Sequence, residues 1–182
     1  ASQNGHIEIV KILLEDPRVD PSDCNDDAII SASCDGHTEI VKLLLNDQRV
    51  DPSTMSNFAI RVASNNGHSE IIKILLKDQR VDPSTMSNFA IRTASQFGHI
   101  EIVKLLLKDS RVDPSDYDNL ALFLASQNDQ VKIVKILLND PRVNPYVIRY
   151  ISNKKIIKLL NVIYLKKSMI FYNLSLEYSR II

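Results

Sequence analysis

The sequence predicts an all-α solenoid: stacked helix–turn–helix repeats joined by short finger turns and closed by a helical C-terminal cap. Three observations predict it. Gly-His pairs recur at Gly5-His6, Gly36-His37, Gly67-His68 and Gly98-His99, a step of 31 residues that uses every glycine and every histidine in the chain. Asp16, Asp47, Asp78, Asp109 and Asp140 keep the same step, as do Pro21, Pro52, Pro83, Pro114 and Pro145. Each period also holds two short helical patterns that cannot bury their apolar surface as an isolated pair but can do so by stacking on copies of themselves.

The elements read most clearly in the third copy. Asn57–Asn66 forms a first helix in which small Ala59, Ala63 and Ser64 let another helix approach closely. Gly67 stops it, because glycine takes the left-handed cap conformation without strain. Ser69–Lys77 forms a second helix with a broad apolar stripe, leaving Glu70, Lys73 and Lys77 for water. Asp78-Gln79-Arg80-Val81-Asp82-Pro83-Ser84 leaves that helix as an extended turn, since the residue before proline is pushed out of the helical region.

These residues carry a resemblance. Gly67-His68-Ser69-Glu70-Ile71-Ile72-Lys73-Ile74-Leu75-Leu76 resembles the second-helix core of ankyrin repeats, and Gly98-His99-Ile100-Glu101-Ile102-Val103-Lys104-Leu105-Leu106-Leu107 resembles it more closely still. The likeness covers about residues 1–146. The family period is about 33 residues, so the connecting finger is two residues short here. The family's Thr-Pro-Leu-His opening is replaced by Phe58-Ala59-Ile60-Arg61 and Phe89-Ala90-Ile91-Arg92. The Asp-x-Arg-Val-Asp-Pro-Ser turns are similar to those of repeats from amoebae and the giant viruses that infect them, which bears on source alone.

The predicted divisions are a partial repeat at 1–22, repeats at 23–53, 54–84, 85–115 and 116–146, and degenerate capping helices at 147–182. In the fifth repeat Asp129-Gln130 replaces Gly-His; asparagine and aspartate are among the few other residues that tolerate a left-handed cap. Ile156-Ile157-Lys158-Leu159-Leu160 echoes a second helix and is expected to cover the end of the stack. Ala1 falls partway along a first helix, so at least one further repeat is expected upstream.

Charge divides the chain. Residues 1–146 carry 15 Lys and Arg against 21 Asp and Glu, whereas 147–182 carry 7 against the single Glu177. The body therefore offers no basic stripe for nucleic acid. Cys24 and Cys34 form neither a disulfide framework nor a metal motif. With the polar opening Ala1–His6 they lead to the expectation of an intracellular, cytoplasmic protein. No apolar run is long enough to span a membrane: Ile156–Leu165 is broken by Lys158 and Asn161. Lys154, Lys155, Lys158, Lys166 and Lys167 among Ile157, Leu160, Ile163, Ile170 and Phe171 allow a membrane-peripheral alternative, with a cap the preferred reading.

No cofactor, metal or catalytic group is expected. Copies of one histidine position in a stack lie about 8–10 Å apart, too far to share a zinc ion bound at about 2 Å, so a structural role is preferred. The Asp-x-Arg turns lack the glycine and closing glutamate of a calcium loop and are read as Asp–Arg paired turns. Ser33, Ser64, Ser95 and Ser126 repeat identically, which suits a scaffold better than a converging active site. Arg61 and Arg92 share one repeat position, and an inter-repeat salt bridge is the first expectation for them, a binding role the second.

The positions that vary between copies are the informative ones. Cys24, Met55, Met86 and Tyr117 mark the finger tips, beside Thr54 and Thr85; Asn66 and Phe97 end their first helices. The ankyrin resemblance implies that fingers and first helices line a concave binding face. The expected function is thus a non-catalytic module that binds an unidentified protein partner through these residues. A structural component of a larger assembly or particle is the alternative.

Overall fold

The computed structural model describes residues 1–144 and residue 156. Among these it is helical, with α1 (Ile7–Glu15), α2 (Asp23–Asp35), α3 (Thr38–Leu45), α4 (Thr54–Asn66), α5 (Ser69–Leu75), α6 (Thr85–Phe97), α7 (Ile100–Leu107), α8 (Asp116–Gln127) and α9 (Val131–Asn139). The helices form two layers. First helices α2, α4, α6 and α8 pack each on the next; second helices α1, α3, α5, α7 and α9 do the same, and from α2 onward each first helix lies against the second helix of its own repeat. All-α stacking of this kind is the solenoid that the period predicts.

The core runs unbroken between the layers. Ile29, Ile60, Ile91 and Leu122, one position repeated through four copies, are buried, as are Ile40, Ile71, Ile102 and Ile133 on the second helices. Ala32, Ala63, Ala94 and Ala125 on the first helices are fully buried, so larger side chains there would overpack the core. Val50, Val81, Val112 and Val143 seal the turns from beneath. Outward, Glu39–Lys42 and Glu70–Lys73 pair along the second helices at 2.6 Å and 2.5 Å, with Glu101–Lys104 looser at 3.8 Å.

The Asp-x-Arg turn is an interlock between repeats. Asp78 Oδ1 accepts the Arg80 backbone N–H and Nε–H at 3.0 Å each, while Oδ2 accepts Nη2–H at 2.6 Å. This fork aims Nη1 at the Val50 carbonyl of the preceding repeat, 2.8 Å away. Arg49, Arg111 and Arg142 reach Val19, Val81 and Val112 in the same way. The histidines make a second interlock. His37, His68 and His99 place Nε2 at 2.7, 2.8 and 2.9 Å from the carbonyls of Gln3, Cys34 and Asn65 in the repeat before. Each ring also covers the preceding glycine: a Cβ built on Gly67, at φ +87°, would meet His99 Cε1 at 2.7 Å. Glycine is required there both by backbone sign and by the neighbour's ring. In the fifth repeat Asp129 takes the left-handed position at φ 60°, and Gln130 replaces the ring.

Ile156 is fully buried in the core, at the segment that echoes a second helix. The rest of the expected cap, and the basic amphipathic stretch behind the membrane alternative, lie outside the described residues. Among those described, no helix is long and apolar enough to cross a membrane.

Candidate partner-binding face

The route from turn to first helix differs from the simple one the sequence suggests. Instead of starting at Asn57, α4 begins with a left-handed turn: Met55, Ser56 and Asn57 have φ of 49°, 58° and 58°. The same turn recurs at Cys24–Asp26, Met86–Asn88 and Tyr117–Asn119. Left-handed backbone costs a residue with a side chain about 1–2 kcal/mol, with asparagine and aspartate the more tolerant. Three consecutive residues therefore need support, and the structure supplies it from three sides.

The first support is the buried asparagine that closes the turn. Asn57 N–H donates to the Ser53 carbonyl at 2.8 Å, and Asn57 Oδ1 accepts at 2.7 Å the Asp82 N–H, in the turn that leaves the same repeat. Asn88 and Asn119 bind Asp113 and Asn144 identically, and Asp26 binds Asp51. The second is the preceding aspartate: Asp51 Oδ1 accepts both N–H and Oγ–H of Ser53. The third is arginine. Arg61 Nη1 donates to the carbonyls of Met55 and Ser56 at 3.2 Å and 3.3 Å, and Arg92 Nη2 donates to that of Met86 at 2.8 Å.

This corrects the salt bridge expected of Arg61 and Arg92. Among the described residues neither pairs with a carboxylate; each guanidinium lies between aromatic rings. Arg61 Cζ is 5.0 Å from the Phe58 centroid and 5.1 Å from that of Phe89, and Arg92 Cζ is 5.6 Å from both Phe89 and Tyr117. The delocalised, weakly hydrated guanidinium suits such a slot. Burial holds the Arg61 group below the usual arginine range.

The tip residues project from this framework into solvent. Met55, Met86 and Tyr117 are 56%, 55% and 69% exposed, and Phe97, at the far end of α6, is 51% exposed. Cys24 is exposed as well. Thr54 and Thr85 are half-buried, and Thr85 Oγ1 donates to the Asp82 carbonyl at 3.2 Å, so these two belong partly to the turn. Asn66 is exposed but tied down, with Nδ2 donating to the Cys34 carbonyl at 2.8 Å. Among the sequence-derived residues only Tyr117 joins the aromatic–arginine ladder directly; Phe97 lies 6.4 Å from the His99 ring instead. Sequence reasoning passed over Asp26, Asn57, Asn88 and Asn119. Their signal was present: asparagine or aspartate recurs there at the 31-residue step, and those are the residues that accept left-handed backbone. Among the described residues no group of three or more His, Cys, Asp or Glu is arranged to hold a metal ion.

The comparisons agree with this architecture. A family model described as ankyrin repeats (three copies) matches residues 1–87 and 60–147. The chain belongs to the ankyrin repeat family. A comparison with curated proteins gives no match.

Proposed function

We propose that the chain is a non-catalytic protein-interaction module that binds a protein partner through its finger tips and first helices. One observation carries this: Met55, Met86 and Tyr117 stand exposed on left-handed backbone that glycine or asparagine would occupy at lower cost. Nothing in the interior needs a methionine side chain at the first two points, Tyr117 gives the structure only a ring beside Arg92, and exposed apolar rows of this kind mark recognition surfaces. Ankyrin repeats generally serve as protein-interaction modules, which supports the reading.

The test is affinity capture from the native source with three proteins side by side. The triple variant Met55→Ser, Met86→Ser, Tyr117→Ser is expected to lose the partner while keeping its helical circular dichroism. Lys73→Glu with Lys104→Glu, on the opposite layer, is expected to retain it. Retention by the first and loss by the second would move the binding face to the second helices.

A further inference from the structure

Resting on that reading of the finger face, we infer that its partner is a short linear protein segment, cationic at both ends and apolar at its centre. The argument is the order of charge along one face. At the repeat position of Phe58 and Phe89 the second repeat has Asp27, and at that of Asn66 and Phe97 it has Asp35. At the position of Ser56 and Ser87 the fifth repeat has Asp118. Asp27, Asp35 and Asp118 are exposed. The two middle repeats have no carboxylate on their tips or first helices, and present Met55, Met86 and Phe97 instead. The face is thus acidic, apolar, acidic along the stack.

Two further observations fix the sign. On the opposite layer Glu8, Glu39 and Glu70 pair with lysines on their own helices, and α9 adds Lys132 and Lys135 with no glutamate, so that side has no surplus of carboxylate to draw a cation. On the finger face the only cations in the four first helices are Arg61 and Arg92, both in the middle repeats, and they are committed to the rings and the turn carbonyls. Their charge opposes a cation at the partner's centre, whereas the outer carboxylates attract cations at its ends. Three helix-packing steps separate the outer repeats, roughly 30 Å, a span of about nine residues of extended chain. A segment of that length with basic ends and an apolar middle matches the face in both charge and contact.

The experiment is selection of a random sixteen-residue peptide library against the whole chain at low salt. Selected peptides are then synthesised and titrated against three proteins: the parent, Asp27→Asn with Asp35→Asn and Asp118→Asn, and the tip variant. Enriched peptides should carry Lys or Arg toward both ends and Leu, Met or aromatic residues between. Their affinity should fall at least tenfold with the neutralised carboxylates and again on raising salt to 0.5 M, as screening requires. Moving a lysine to the peptide centre should weaken binding. Enriched peptides that are acidic or uncharged, or whose affinity ignores the Asp→Asn variant, overturn the inference while leaving the finger face in place, provided the tip variant still abolishes binding. Binding that ignores both variants overturns the finger face itself. A library that yields no binder overturns the linear segment.

Discussion

Asp26 is the one buried carboxylate in a row of asparagines, and its position has a cost that depends on pH. It accepts the Asp51 N–H at 2.8 Å as Asn57, Asn88 and Asn119 accept theirs. Burial pushes its carboxyl above the ordinary value; the Asp51 N–H and the Arg80 charge oppose this, and the Asp51 and Asp20 charges add to it. A raised folded-state value means stability that is present at acid pH and lost as pH rises through it. Asp26→Asn keeps the accepting oxygen and removes the charge, so it should raise the thermal midpoint at pH 7. That gain should shrink as pH falls toward the carboxylate range, near 3.9. A gain independent of pH would show that asparagine merely fits the left-handed turn better. Gly67 offers a second test at this scale. Gly67→Ala should cost more than the ~1–2 kcal/mol of left-handed backbone, because its Cβ would strike the His99 ring. Adding His99→Ala should then cost less than the two single changes summed, read from urea titrations of all four proteins.

At the scale of the element, the left-handed turn and its arginine form one unit. Arg61 lies between two rings and donates to two carbonyls of the turn. Arg61→Lys keeps the charge but loses the flat stack and the fork, so it should destabilise by about 1 kcal/mol in denaturant titration, close to the effect of Arg61→Ala. Full retention of stability in the lysine variant would show that charge alone matters. This unit also marks where the sequence stops being readable. The helices, their order and the Asp–Arg turns follow from period, glycine stops and the apolar stripe on Ile71, Ile72 and Leu75, because those signals are local. The candidate site was half legible: variation between copies pointed to Met55, Met86 and Tyr117 as candidates, but not to what sets their posture. The pairing of Arg61 with Phe89 joins residues 28 apart in different repeats, and aspartates nearer in sequence made a salt bridge the obvious expectation. A positive φ at Met55 leaves no trace in its side chain type; only the asparagine two places later hints at it.

At the scale of the whole molecule, the same contact occurs at each interface between the described repeats, so conditions that weaken one weaken all. Hydrogen bonds from Arg49, Arg80, Arg111 and Arg142 hold Asp47, Asp78, Asp109 and Asp140 below the ordinary carboxylate range. A depressed folded-state value means stability present above the ordinary range and lost as pH falls through the folded values. Asp78→Asn should therefore flatten the loss of stability below about pH 4, measured by urea midpoints across that range. An unchanged slope would show that the turns do not govern acid unfolding. The interlocks have another property: Arg80 reaches back 30 residues and His68 34, each to the adjacent repeat, while Asn57 reaches forward 25 to the end of its own. Among the described residues no long-range hydrogen bond fastens one end of the stack to the other. Pulled from its termini, such a chain has no single point of failure. It should pay out one repeat at a time, each releasing roughly 100 Å of slack from its 31 residues. Under load the protein should behave as a stepwise tether, one whose reach grows repeat by repeat while the remaining repeats stay folded.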